Sequence, residues 1–192
     1  MKIILASKSG VRKKILEKNK ISCKVIPSNV DEDEFKTSMI ARNATPELIS
    51  KNLAELKANK ISTKEPDQLV LGADSVIDLD GKLISKPKTR DEAIEILKKL
   101  NGKKHQLISS VCISKNGSMI WHHTDASSLT MKQLNLDEIK SYLSKIGDNT
   151  LFAYGVYQIE ADGRSLFSNI EGDEDTIMGL PVKKIKEYLN NL

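Results

Sequence analysis

The sequence predicts an α/β protein built on a mixed, twisted sheet with flanking helices. Two observations carry that expectation. Segments with the two-residue alternation of strands interleave with segments of helical spacing, and two hairpin signals are interposed between them. A third observation bounds the class. Of 192 residues, 39% are hydrophobic and 29% charged, and no apolar run approaches the roughly 20 residues that span a bilayer.

Taken in order, Lys2 to Ala6 reads as a short buried strand, and Ser9 can cap a helix running through Arg12, Ile15 and Leu16. Ile21 to Pro27 alternates as a half-buried strand would, and the acidic run Asp31-Glu32-Asp33-Glu34 is expected to form a loop. Thr45-Pro46-Glu47 supplies a capping hydroxyl and a proline at the first helical position; the stripe Ile49, Leu53, Leu56 carries that helix to about Asn59. Leu69 to Gly72 and Ser75 to Leu79 read as strands, with Asp80-Gly81 as a hairpin turn. Thr89-Arg90-Asp91-Glu92 is a capping box opening a helix with Ile94, Leu97 and Leu100 inward. Gln106 to Ser114, Asn116-Gly117, and Ser118 to Thr124 form the second hairpin. A helix from Leu136 to Ile146 follows, and Pro181 starts the last, with Ile185, Leu189 and Leu192 on one face. With no repeat, low-complexity tract or linker, residues 1–192 are read as one domain.

Composition also narrows the function. The 30 basic and 26 acidic side chains leave a net charge of +4, spread as lysines with acidic neighbours. Only four arginines occur (Arg12, Arg42, Arg90, Arg164), and no basic block or aromatic ladder accompanies them. A solvated surface is the expected reading, with no stable nucleic-acid partner. Cys23 and Cys112 have no CxxC partner, which argues against a disulfide scaffold or zinc ribbon and fits a cytoplasmic protein. Ser7 and Lys8 end the apolar start of the chain, so no targeting segment and no membrane association is expected.

The familiar phosphate, dinucleotide, zinc-protease and serine-hydrolase motifs are absent. His122 and His123, adjacent in a strand, point to opposite faces and do not readily share a metal. Ser7-Lys8-Ser9-Gly10-Val11-Arg12 joins a strand to a helix. It reads either as a phosphate cradle, with free N–H groups, two hydroxyls and a cation, or as an ordinary serine cap. Asp74 follows the apolar run from Leu69 to Ala73. A carboxylate there must be paired, hydrogen-bonded or metal-bound unless it marks a turn at a strand end. Lys57 continues the i+4 series from Ile49 and Leu53 onto the buried face, and Lys86 is held in an extended backbone before Pro87. One desolvated carboxylate, an acidic run, three cations and a helix start form the inventory expected for a polyphosphate substrate carrying a divalent metal.

These residues fall in blocks that resemble the Maf family of nucleotide pyrophosphatases: Leu-Ala-Ser-Lys-Ser-Gly-Val-Arg at 5–12, Leu-Ala-Glu-Leu-Lys-Ala at 53–58 and Leu-Gly-Ala-Asp-Ser-Val at 71–76. Ser-Lys-Pro at 85–87, Leu-Asn-Gly-Lys-Lys-His at 100–105, Gly-Val-Tyr-Gln-Ile-Glu at 155–160, and Ile-Glu-Gly-Asp with Gly-Leu-Pro at 170–181 continue the family order. The resemblance implies an elongated, two-lobed body with a central cleft, shared with inosine triphosphate pyrophosphatases. It implies metal-dependent hydrolysis of a nucleoside triphosphate to the monophosphate and pyrophosphate, with Mg²⁺ or Mn²⁺ as cofactor. Such proteins are associated with clearing non-standard nucleotides and with arrest of cell division, and they commonly form homodimers.

Carried onto this chain, the resemblance places Ser7, Ser9 and Arg12 in the phosphate-binding loop. It makes Lys57 and Lys86 the family lysines, Asp74 the proton acceptor, and Glu32 the acidic residue after the second strand. Asp74 and Glu32 would hold the metal, and Gln158 and Glu160 either read the base or ribose or are structural. The commonest family form has proline and two arginines where this chain has Gly10, Val11 and Arg12; Ser75 replaces a threonine, and Glu160 stands at a glutamine position. Uridine or thymidine triphosphates and 7-methylguanosine triphosphate are the substrate classes suggested, and the residues match neither pattern throughout. A division regulator that binds nucleotide or nucleic acid with vestigial catalysis is the alternative reading, and a monophosphatase is a third.

Overall fold

The computed structural model describes residues 2–192. The described residues form seven strands and eight helices, in the order β1 (Lys2–Leu5), α1 (Gly10–Lys18), β2 (Ser22–Val25), α2 (Glu32–Ala41), α3 (Pro46–Ser62), β3 (Val70–Leu79), β4 (Lys82–Ile84), α4 (Arg90–Leu100), β5 (Lys104–Lys115), β6 (Ser118–Met131), α5 (Leu136–Ser144), α6 (Asp148–Tyr154), β7 (Phe167–Glu171), α7 (Glu174–Ile177) and α8 (Val182–Asn190). A 3-10 turn at Asp162–Leu166 precedes β7.

The strands form one mixed sheet in the order β2-β1-β3-β5-β6-β7, with β4 paired to the far end of β3. β1 is parallel to both β2 and β3, and every other pairing is antiparallel. The predicted mixed α/β fold is the one observed. The caps at Ser9, Thr45 and Thr89 and the turns at Asp80-Gly81 and Asn116-Gly117 stand where local chemistry places them. In each cap the side-chain oxygen accepts a backbone N–H that the first helical turn would otherwise leave unpaired.

Two lobes share the sheet. On the β1 side, α1 and α8 cover one face through Ile15, Leu16, Val182 and Ile185, while α3 covers the other through Ala54, Ala58 and Ile61. On the β7 side, α4, α5 and α6 pack Leu97, Leu100, Ile139, Leu143 and Leu151 over Leu107, Leu129 and Met131. β3 and β5 run through both lobes: Leu71 and Val111 belong to the first core, Leu79 and Leu107 to the second.

Several local expectations are corrected. The acidic run at 31–34 is no loop: Asp31 caps α2 by accepting the Glu34 N–H at 2.9 Å, and the acidic first turn complements the helix dipole. The two strands expected on either side of Asp74 are one continuous β3, so that aspartate lies inside a strand instead of at a turn. Leu56 is 36% exposed, because Lys57 takes the inward position one residue later. Ile94 is only partly buried, Ala93 taking the inward place, and Leu192 projects to solvent. The second strand is confined to Ser22–Val25, and α3 extends to Ser62. α6, α7 and β7 carry no sequence pattern strong enough to have announced them.

Candidate active site

β3 has strand neighbours on one edge along its length and on the other edge only at its ends. β1 pairs with Val70 and Leu71, β4 pairs from Ile77 to Leu79, and no described strand covers residues 72–76 on that side. The gap opens at the carboxyl end of β1, where the chain leaves toward β2 on one side and β3 on the other. This switch point is where open α/β sheets hold ligands. A cleft of about 400 Å³ occupies it. Ser7, Ser9, Arg12, Glu32, Lys57, Asp74, Lys86, Gln158 and Glu160 all line this cleft, so the structure brings every sequence-predicted candidate to one place.

Lys57 reaches the cleft because α3 lies directly on β3. Gly72 permits that approach, since a Cβ there would run into the carbonyl oxygen of Ala54. The Lys57 side chain is 6% exposed, and its Nζ lies 2.7 Å from Asp74 Oδ1 and 2.7 Å from Glu32 Oε1. One ammonium therefore bridges two carboxylates from different elements. Asp74 is 3% exposed, and its second oxygen, Oδ2, is buried without a partner. An orphaned carboxylate oxygen in a cleft is costly in the free protein and marks a position for a ligand, a water or a cation.

Arg12 is placed one turn into α1 and faces back across the gap in the sheet. Its Nε donates to Gly179 O at 2.9 Å, Nη1 to Ala73 O at 2.9 Å and to Ser7 Oγ at 3.3 Å, and Nη2 to Ser75 Oγ at 3.1 Å. Four of its five N–H groups are thereby committed to the protein, which leaves one for a ligand. Burial lowers the Arg12 pKa, opposed by the charges of Asp74 and Glu32. Ser9 is spent as the cap of α1, accepting the Arg12 N–H at 3.3 Å, and Ser7 Oγ accepts from Ser9 N at 3.2 Å. The loop is a serine cap, and it also lines the cleft.

Lys86 Nζ donates to Ala153 O at 2.8 Å, tying the segment after β4 to α6 within the β7-side lobe. Burial lowers its pKa, while Glu32 and Asp74 oppose the shift. Gln158 donates to Gly155 O at 3.2 Å, whereas Glu160 is exposed at the cleft margin. Burial pushes the Glu32 pKa upward, but the Lys57 charge and hydrogen bond, with Lys36 and Lys86 behind them, bring it down to about 2. Lys36, unnoticed in the sequence, lines the cleft with its side chain only 12% exposed and its Nζ 3.6 Å from Glu32 Oε2. The i,i+4 spacing from Glu32 would have shown it, had the acidic run been read as a helix start.

Five cations, Lys8, Arg12, Lys36, Lys57 and Lys86, and three carboxylates, Glu32, Asp74 and Glu160, line the cleft. Such an excess suits a ligand more acidic than a single carboxylate. Among the described residues no three His, Cys, Asp or Glu side chains gather to hold a metal by themselves. The donor set still fits a hard cation, because Mg²⁺ is commonly bound by one or two carboxylates together with substrate phosphates, and Asp74 Oδ2 is an unused oxygen there. No helix of the described residues is long and apolar enough to cross a membrane.

Fold and cleft define a class first. Over all of both chains, the structure superposes on a HAM1 protein from Coxiella burnetii with a TM-score of 0.52 at 14% identity, which places the fold among HAM1-like α/β proteins. Within that class the chain belongs to the Maf-like protein family, whose profile matches residues 2–192. A Pelagibacter ubique protein named nucleoside triphosphate pyrophosphatase is 70% identical over 187 residues, covering 97% of this chain and 96% of that one. A Brucella abortus protein named 7-methyl-GTP pyrophosphatase is 36% identical over 182 residues, covering 95% and 92%.

Proposed function

We propose that the protein hydrolyses a nucleoside triphosphate to the monophosphate and pyrophosphate, clearing that nucleotide from the pool. One observation carries the reading: Asp74, which lines a cation-rich cleft, is held by Lys57 through one oxygen while its other oxygen is buried without a partner. The names of the relatives support the same reaction.

In this reading the α1 end of the cleft takes the phosphates. The N-terminus of α1, the Ser7–Ser9 loop and the remaining Arg12 N–H supply donors for phosphate oxygens. Asp74 Oδ2 orients the attacking water and accepts its proton as the new bond to the α-phosphorus forms. The bond from that phosphorus to the bridging oxygen breaks, and pyrophosphate leaves. Lys57, Lys86 and Lys36 offset charge on the departing group, and such a preorganised cation contributes on the order of 10²–10³ in rate. A divalent cation, Mg²⁺ or Mn²⁺, held by Asp74 and Glu32 would neutralise the triphosphate and hold it in line. The wall of the other lobe, with Leu83, Ile84, Val156, Gln158 and Glu160, then faces the nucleoside.

The test is product analysis on the wild type with ordinary and modified nucleoside triphosphates, with and without Mg²⁺ or Mn²⁺. Stoichiometric pyrophosphate and monophosphate are expected, abolished by a chelator. Orthophosphate as the first product would overturn the assignment.

A further inference from the structure

Behind Asp74 lies a hydrogen-bond chain whose direction is fixed by counting protons. Ser109, fully buried on β5, has one hydroxyl hydrogen and donates it to the carbonyl oxygen of Thr176 at 2.8 Å, an atom that can only accept. The 2.9 Å contact between Ser109 Oγ and Ser75 Oγ must then be donated by Ser75. Ser75, its own hydrogen spent, accepts from Arg12 Nη2 at 3.1 Å. Arg12 closes the circuit by donating to Gly179 O, and Gly179 N donates to Thr176 O at 2.9 Å. Gly179 sits at φ +93°, and a Cβ there would lie 2.9 Å from Ser75 Oγ, so the absence of a side chain lets the ring of contacts close.

The same Arg12 grips Ala73 O, so both neighbours of Asp74 are held by one guanidinium, over the stretch of β3 that lacks a strand on its open edge. On this basis we propose that Ser109 is a positioning residue. Through Ser75 it orients Arg12 and thereby fixes the strand that presents Asp74, tying the 176–179 segment to the reaction. This rests on the pyrophosphatase reading for its kinetic consequence, but not for its structural one.

The experiment compares wild type with Ser109→Ala, Ser109→Thr, Ser75→Ala and the Ser75→Ala/Ser109→Ala double variant. Pyrophosphate release is followed by steady-state kinetics, and the backbone over 72–76 by hydrogen exchange. Ser109→Ala is expected to lower kcat about tenfold with KM within about twofold, the pattern of a lost transition-state alignment. Exchange over 72–76 rises while the rest of the sheet is unchanged. Ser109→Thr, which keeps the hydroxyl, restores kcat. The double variant loses no more than about the larger single loss, because both changes cut one chain. Unchanged kcat and exchange in Ser109→Ala would overturn the proposal, as would additive losses. Should Ser109→Ala not fold, Ser75→Ala, which leaves the bond from Ser109 to Thr176 intact, decides by the same readouts. If the wild type itself releases no pyrophosphate, the functional reading fails, and the exchange data alone decide the positioning role.

Discussion

β3 presents Asp74 from the middle of a strand buried between two cores, whereas α2 presents Glu32 from a helix that buries no residue. On the β3 wall, Arg12 holds Ala73 and Ser75, and Ser50 donates to Asp74 O at 3.2 Å; all are tied to elements with apolar anchors. On the α2 wall the ties are ionic: Glu32 to Lys57 at 2.7 Å and Asp33 to Lys88 at 3.2 Å. Asn29 and Asn43, before and after α2, both sit at positive φ, 48° and 56°, a conformation asparagine tolerates better than most residues. The contrast separates two jobs. Under the proposed reaction, the oxygen that meets the phosphorus is preorganised by packing, while the wall on the α2 side is held by charges that a highly charged substrate could itself replace.

The largest expected effect comes from cutting the link between the walls. Lys57→Met leaves Asp74 buried and uncompensated, which costs about 3–5 kcal/mol in stability, and it removes a cation worth on the order of 10²–10³ in kcat. Denaturant titration and steady-state kinetics read both, and a stability within 1 kcal/mol of wild type would show, on that same scale, that the bridge is not buried in solution.

Glu32→Gln should act on one wall alone. Hydrogen exchange is expected to accelerate in α2 and not in β3, with kcat/KM lowered about tenfold, as for loss of a single charged contact. Equal acceleration in both walls would erase the distinction between them.

Acid separates the body of the protein from the α2 tie. His105, 2% exposed beneath Tyr157, has its pKa pulled by burial to about 4. The unfolded chain, with a histidine pKa near 6.5, binds the proton more readily, so stability is complete above that value. It is lost as pH falls toward about 4, at up to roughly 1.4 kcal/mol per pH unit. Glu32, with its pKa brought down to about 2, stays ionised throughout that window, so its tie to Lys57 persists while the fold weakens. Denaturant titrations between pH 7 and about 4.5 on wild type and His105→Phe check this; equal slopes in both would place the titration elsewhere.

Much of this architecture is visible in local sequence. Caps at Ser9, Thr45 and Thr89 and turns at Asp80-Gly81 and Asn116-Gly117 are short-range chemistry that needs no tertiary context. α2 was hidden because it buries nothing and so has no apolar stripe; only its aspartate cap marks it. β3 looked divided because a strand buried on both faces loses its alternation, and Gly72-Ala73-Asp74 resembles a turn. Within the site, Lys57 was legible from its i+4 position on the buried stripe of α3. The commitment of Arg12 to Gly179 was not, since 167 residues separate them and only the folded sheet brings them together. Ser109 was invisible for the same reason, 34 positions from Ser75 on a neighbouring strand.

The most direct test of the central claim is single-turnover pyrophosphate release by Asp74→Asn, with nucleotide affinity measured on the same preparation. The substitution keeps size and one acceptor but removes the charge and the proton-accepting oxygen. A rate loss of about 10³-fold or more is predicted, with affinity changed only a few-fold. A rate within about tenfold of wild type would contradict the role given to Asp74, and with it the reading of the cleft.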